Sequence, residues 1–134
     1  MAEDVVVKDA LTPEMAEAGR RLLQDLDTSG WRPGASLWLF VPEAGQWRLI
    51  LADADLGATG PKNAYSQVLD ALKRVAPPEH ALSLRDIAVV EPGHPLLRVL
   101  RSAVRTGPGI SGIRFSKNVI NGHYIEDAFI YRLL

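Results

Sequence analysis

The chain has 134 residues, 47% hydrophobic and 23% charged, with a formal net charge of −1, which suits one globular domain and excludes a strong general attraction to nucleic acid or membranes. It contains no cysteine, which excludes a disulfide framework and thiol catalysis. No apolar run reaches the roughly 18 residues of a membrane span, and the acidic start is unlike a signal peptide, so we expect a cytoplasmic protein without a membrane partner.

The first predicted elements are a helix and a hairpin. Thr12-Pro13 predicts a helix start, because a hydroxyl can cap free backbone N–H groups and proline suits the first turn. The segment ASLWLFVPEAGQWRLILAD, residues 35–53, predicts two strands around a Pro-Glu-Ala-Gly turn. Pairing outward from that turn gives two pairs that share one face as a core layer: Phe40 with Trp47 and Trp38 with Leu49.

Two helices and a strand are predicted in the middle of the chain. A second helix opens at Gly60-Pro61, and the segment from Asp86 to Glu91 is a short apolar strand. A third helix starts at Pro95 and has one apolar and one basic side. Its basic side carries three arginines at i, i+3 and i+7: Arg98, Arg101 and Arg105.

These arginines lie in a segment without acidic residues, from Pro92 through Ile125, which also contains Arg114 and Lys117. An acid-free basic segment predicts an anion-binding surface on the third helix, with nucleic acid or a phosphate group as the partner. The alternative is an ordinary solvated helix face.

The closing hairpin is defined by Asn121-Gly122, because both residues tolerate the positive φ of a type I′ turn. A two-residue loop fixes the pairing of the last two strands, starting with Ile120 opposite His123. Alternation then sorts the side chains onto two faces, so that the carboxylates of "HYIED" point to opposite sides and cannot form a compact acid–base pair.

One face of this hairpin is predicted to be the core face: it is apolar near its base, closes with the opposite-charge pair of Lys117 and Glu126 toward the tip, and also carries Val119 and Tyr124. We predict that its Phe115 shares a core with Trp38. The other face is polar, and we predict that it binds a protein partner or small ligand through Arg114, Ser116, Asn118, His123, Asp127 and Tyr131. The alternative is a solvated face in which Arg114 stacks on Phe129 and Ser116 hydrogen-bonds to Asp127.

The predicted element order is α-β-β-α-β-α-β-β, without an internal repeat or linker. That order predicts one α+β domain over residues 1–134, with a mainly antiparallel five-stranded sheet and about three helices. Residues 1–10 are predicted to form a flexible N-terminal segment.

The first helix and the hairpin ASLWLFVPEAGQWRLILAD resemble the opening of a GAF domain, in which a helix leads into a hairpin with this hydrophobic pattern. The closing hairpin resembles the late strands of that profilin-like sheet, so the likeness covers about half the chain and contains no ligand motif. The region between the hairpins is shorter than a GAF pocket requires. The resemblance therefore implies a sensory or interaction fold, without a cyclic nucleotide or chromophore as cofactor.

Metal chemistry has little support in the sequence. Its three histidines are too scattered to give a ligand spacing: His80, His94 and His123. Asp53 and Asp55 follow a strand and could hold a divalent ion, but aspartates at strand ends are common turn residues. Asn63, Tyr65 and Gln67 are interpreted as ordinary cap and surface residues. We expect no metal site and no cofactor.

Three functional hypotheses follow. The first is a non-catalytic regulatory or interaction domain that acts through a sheet face or by self-association, since no complete catalytic constellation is present. The second is a nucleic-acid or phosphate-binding protein that uses the basic third helix. The third is a metal-dependent hydrolase in which Asp53 or Asp86 joins Glu126 and Lys117 around a metal ion.

Overall fold

The structure is a computed structural model that describes residues 10–75 and 82–134. Its helices are α1 (Pro13–Thr28), α2 (Leu56–Thr59), α3 (Pro61–Val75) and α4 (Pro95–Arg101). Its strands are β1 (Ala35–Val41), β2 (Gln46–Ala52), β3 (Ile87–Val90), β4 (Ile113–Ile120) and β5 (His123–Leu133). Apart from Ala10, the predicted flexible segment lies outside the described residues, as does His80.

The predicted α+β class and the five strands are confirmed, and the sheet order is β3-β2-β1-β5-β4. The prediction of a mainly antiparallel sheet is wrong, because β3 runs parallel to β2 in a mixed sheet. The segment that joins these strands contains α2 and α3, and a crossover of this length returns the chain to the same end of the sheet. Four α-helices lie in the described residues, where about three were predicted.

The local pairings follow the sequence closely. Thr12 caps α1, where its Oγ1 accepts a hydrogen bond from the Met15 amide at 3.0 Å. The predicted cross-strand pairs of β1 and β2 are confirmed, including Phe40 with Trp47. The turn at Asn121 and Gly122 has the predicted positive φ angles of 49° and 82°. The two hairpins lie in one sheet because β1 also pairs with β5.

The sheet carries a hydrophobic cluster on each side. On the α1 face, the two long helices α1 and α3 cover a layer that includes Trp38, Phe40, Trp47, Leu49 and Tyr131. On the α4 face, the short helix α4 packs Leu97 and Leu100 onto residues that include Leu37, Ile50, Ile130 and Leu133. The two faces therefore differ in how much helix covers them, since α1 has 16 residues and α4 has 7.

The predicted common core of Trp38 and Phe115 is wrong, since Trp38 lies on the α1 face and Phe115 packs on the α4 face. The register explains the difference. Trp38 pairs with Phe129, and Phe129 pairs with Arg114. Phe115 is the next residue along β4, and neighbouring residues of a strand point to opposite faces.

The tip of the closing hairpin departs from simple alternation. Lys117 has a φ of 51°, and the described ladder has no pair at this residue. A left-handed residue interrupts the ladder and changes which side the following residues face. As a result, Ile120 is buried in the cluster of the α4 face, whereas Val119 and Tyr124 are exposed. Their predicted position on a buried core face is therefore wrong.

Among the helices of residues 10–75 and 82–134, none combines the length and the apolar character that crossing a membrane requires.

Candidate functional sites

Arg114 and Asp127, two members of the predicted sheet-face site, form an ion pair. The Arg114 Nε and Nη2 atoms donate to the two carboxylate oxygens of Asp127 at 2.6 and 2.7 Å. The Asp127 side chain is 3% exposed and that of Arg114 is 51% exposed. Hydrogen bonding to Asp127 raises the pKa of Arg114. The Arg114 guanidinium also lies 5.6 Å from the centroid of the Trp47 ring, a cation–π distance. Its position is therefore stabilised both by the Asp127 carboxylate and by this aromatic ring.

The other members of the predicted sheet-face site are dispersed. Tyr131 is buried under α1, where its hydroxyl donates to the Ala16 carbonyl oxygen at 2.5 Å. Ser116 and Asn118 are exposed on β4, and the Asn118 amide donates to the Ser116 carbonyl oxygen. His123 is exposed at the start of β5, beside α4. The structure thus brings Arg114, Ser116 and Asp127 together and separates Tyr131 and His123 from them.

The basic residues of the predicted anion site lie on α4 or follow it in the chain, and Arg114 of the same acid-free segment lies on another surface. Helix α4 ends at Arg101, so Arg105 follows the helix. Arg101 donates to two backbone carbonyl oxygens, those of Leu134 at 2.6 Å and Pro92 at 2.7 Å. Burial, followed by the positive charge of nearby Arg105, lowers the pKa of Arg101. Arg98 is exposed on α4, whereas Arg114 lies across the sheet on the α1 face.

An exposed apolar surface lies at the tip of the closing hairpin. Val119 is 67% exposed and its cross-strand neighbour Tyr124 is 55% exposed. Tyr124 also borders a groove of about 300 Å³ between the hairpin and α4, which is lined by Pro95, Leu96, Val99, His123 and Ile125. Val119, Tyr124 and this groove are called the hairpin patch below. This patch was not predicted from the sequence, because simple strand alternation places Val119 and Tyr124 in the core.

A second concave site lies at the carboxyl end of β2. It has a volume of about 340 Å³, and its lining includes Trp31, Asp53, Asp55, Thr59, Asn63 and Gln67. These residues come from the connection between α1 and β1, the end of β2, helix α2 and the first half of α3. This site is called the β2-end cavity below. Asp53 and Asp55 were noted in the sequence, but nothing there connects them with Trp31.

Asp53 is the most buried acidic group of the β2-end cavity, with 2% of its surface exposed. Its Oδ1 atom accepts from the Trp31 indole N–H at 3.0 Å and from the Asp55 backbone N–H at 2.9 Å. Its own backbone N–H donates to the Val90 carbonyl oxygen at 2.9 Å, which ties it to the end of β3. Two hydrogen bonds to the side chain and one from the backbone therefore fix the position of this residue.

Metal binding finds no support in these contacts. Within residues 10–75 and 82–134, no group of three or more His, Cys, Asp or Glu side chains is placed to hold a metal ion. The predicted hydrolase centre would need Glu126 near Asp53 or Asp86. Glu126 instead accepts a hydrogen bond at 2.9 Å from the hydroxyl of Tyr124 at the hairpin tip.

Comparison with known proteins adds no relative. No protein-family model matches the chain, and no curated protein or solved structure matches it significantly. The resemblance to GAF domains stays a prediction from the hydrophobic pattern. The function must therefore be inferred from the geometry of the described residues.

Proposed function

We propose that this protein is an interaction domain that self-associates through the hairpin patch, with two copies related by a two-fold axis. The exposure of Val119 and Tyr124 is the observation that carries the proposal. Single exposed apolar residues are common on protein surfaces, but these two are cross-strand neighbours and continue into an apolar groove. A contiguous exposed apolar surface marks an interaction site.

The charges around the hairpin patch favour a second copy of the chain as the occupant. Lys117 lies two residues before Val119, and Glu126 lies two residues after Tyr124. A two-fold axis between two patches would bring the lysine of one copy toward the glutamate of the other. The patch is thus complementary to itself in charge as well as in its apolar character.

The edge of the sheet suggests how the two copies would meet. β4 is the last strand in the sheet order. The left-handed conformation of Lys117 interrupts that edge, which opposes the extension of the sheet by a further strand. Association would therefore use side chains of the hairpin patch rather than backbone hydrogen bonds between strands.

Analytical ultracentrifugation over a wide concentration range tests the proposal. We expect a reversible dimer, whose dissociation constant rises about ten-fold or more in Val119→Glu, since burying an apolar side chain contributes roughly 1.5–3 kcal/mol. Leu69→Glu is the matched control, because Leu69 is an exposed apolar residue on α3, 39% exposed, outside the patch. This control is expected to dimerise like the wild type.

Charge reversal tests the two-fold arrangement. Lys117→Glu should weaken the dimer, and the double variant Lys117→Glu with Glu126→Lys should restore it. A wild-type protein that stays monomeric at every concentration would refute the proposal. Equal weakening by Val119→Glu and Leu69→Glu would also refute it, since the dimer would then not depend on the hairpin patch.

A further inference from the structure

We propose that the β2-end cavity binds a small organic cation whose ammonium or guanidinium head group pairs with Asp53. This site is separate from the hairpin patch and does not depend on self-association. Its volume of about 340 Å³ suits a small metabolite rather than a macromolecule.

The cavity lies at the carboxyl end of the parallel strands β2 and β3. β2 and β3 are parallel, and the hydrogen bond from the Asp53 amide to Val90 continues their pairing to its carboxyl end. Open sheets with parallel strands bind ligands outside the carboxyl ends of those strands, where the chain leaves the sheet and loops form a crevice. Asp53 lies at this end of β2, and α2 and α3 follow it.

The Asp53 carboxylate has no positively charged partner within residues 10–75 and 82–134. Both of its hydrogen bonds end on Oδ1, and both donors are neutral groups. No described lysine, arginine or histidine forms an ion pair with it. The other oxygen, Oδ2, has no hydrogen-bond partner among the described residues. A ligand cation in the cavity would supply that partner.

The remaining lining supplies further acceptors and no competing cation. Asn63 and Gln67 lie one helical turn apart on α3, so their side-chain amides share a face. Neither amide, nor the Asp55 carboxylate, hydrogen-bonds to another described residue. The lining contains no lysine, arginine or histidine among the described residues. N–H donors on the ligand, as in ammonium and guanidinium groups, would match these acceptors.

The test uses N-butylguanidinium as the probe and the neutral, similarly shaped N-butylurea as its control. In proton–nitrogen correlation spectra, the three tryptophan indole signals can be followed separately, with Trp31→Phe assigning the one at the cavity. We expect N-butylguanidinium to shift the Trp31 indole signal in a saturable way. The Trp38 indole, which donates to Tyr131 in the core, should not move.

Three variants test which carboxylate pairs with the guanidinium of the probe. Asp53→Asn keeps the shape of the side chain and should weaken binding about ten-fold or more, because a hydrogen bond to a charged group is replaced by one to a neutral group. Asp55→Asn, at an exposed residue, should weaken binding less. Asp70→Asn makes the same charge change at an exposed residue of α3 outside the cavity and should have no effect.

Several results would overturn the proposal: no saturable shift of the Trp31 signal, equal binding of N-butylurea, or equal weakening by Asp55→Asn and Asp70→Asn. Displacement of the probe by Mg²⁺ or Ca²⁺ at lower concentration would also overturn it, in favour of a metal site. If Asp53→Asn unfolds, the comparison of Asp55→Asn with Asp70→Asn decides, since both residues are exposed.

Discussion

The indole N–H of Trp38 donates to the hydroxyl oxygen of Tyr131 at 3.1 Å, across 93 residues of the chain. The same hydroxyl donates to the Ala16 carbonyl oxygen, which ties strands β1 and β5 to helix α1. Gly19 lies directly above this pair. A Cβ atom at residue 19 would be 2.5 Å from the Tyr131 hydroxyl oxygen and 2.8 Å from the Trp38 indole nitrogen. Helix α1 can therefore lie this close to the sheet only without a side chain at that residue.

Gly19→Ala is expected to lower the free energy of unfolding by roughly 1–3 kcal/mol, because the new methyl group overpacks the contact with Trp38 and Tyr131. Alanine in a helix interior normally stabilises by about 0.5–1 kcal/mol relative to glycine, so the sign of the effect is diagnostic. Denaturant unfolding measures it. Gln24→Ala, at an exposed residue of the same helix, is the control and should change stability little. A more stable Gly19→Ala protein would mean that α1 packs elsewhere.

The buried hydroxyl of Tyr131 should make the free energy of unfolding depend on pH in the alkaline range. Burial raises the pKa of its hydroxyl above the ordinary value of about 10. As the pH rises, the unfolded chain loses this proton before the folded chain does. The stability that the group contributes is therefore fully present below about pH 10 and is lost as the pH rises toward the folded-state pKa.

Unfolding in urea at a series of pH values checks this dependence. Above about pH 10, the wild type should lose stability more steeply than Tyr131→Phe, which has no proton to release at this residue. Tyr131→Phe should also be less stable at neutral pH, because it loses both hydrogen bonds of the hydroxyl. Parallel slopes for Tyr131→Phe and wild type would contradict the assignment.

The parts of the fold that the sequence predicted are local. Short turns fixed the register of both hairpins, and Asn121-Gly122 did so because few residues adopt two successive positive φ angles. The direction of β3 depends instead on how a long crossover packs, which hydrophobic pattern does not specify. The exposure of Val119 depends on the unusual φ of Lys117, a residue type with no preference for the left-handed region.

The candidate sites were less predictable than the hairpins, because they too depend on tertiary packing rather than on local sequence. The β2-end cavity joins Trp31, Asp53 and Asn63, which come from different elements and meet only through tertiary packing. The aspartates after β2 were a visible signal, but a turn explained them equally well. The ion pair of Arg114 with Asp127 was also missed, although both lie on the face that the register predicted. Register determines the face, whereas the choice of partner depends on side-chain conformation.

The Arg114 ion pair should contribute more to stability than a surface pair of the same geometry. Arg114→Met keeps much of the apolar stem but leaves the buried Asp127 carboxylate without its cation, which should cost roughly 1–3 kcal/mol. Arg20→Met is the matched control, since Arg20 also binds a carboxylate through two nitrogens but both its side chain and that of Glu17 are 42% exposed. That change should cost less than about 1 kcal/mol.

Denaturant unfolding of both variants decides the comparison. The double variant Arg114→Met with Asp127→Leu should recover part of the loss, because replacing both partners also removes the buried carboxylate that has lost its arginine. Equal losses for Arg114→Met and Arg20→Met would show that burial of the carboxylate does not strengthen the pair.

Ser36 provides the opposite kind of test, a polar group whose removal should not harm the fold. The residue is fully buried in β1, and its hydroxyl oxygen finds no hydrogen-bond partner among the described residues. A buried hydroxyl without a partner costs about 1–3 kcal/mol of desolvation, whereas the cavity left by one oxygen atom is small. Ser36→Ala is therefore expected to leave the free energy of unfolding unchanged or to raise it by up to about 1 kcal/mol.

Ser116→Ala, at an exposed residue of β4, is the control and should stay within about 0.5 kcal/mol of wild type. A clear loss of stability in Ser36→Ala alone would show that its hydroxyl is satisfied in solution, for example by a buried water molecule at the register shift between Ser36 and Leu37.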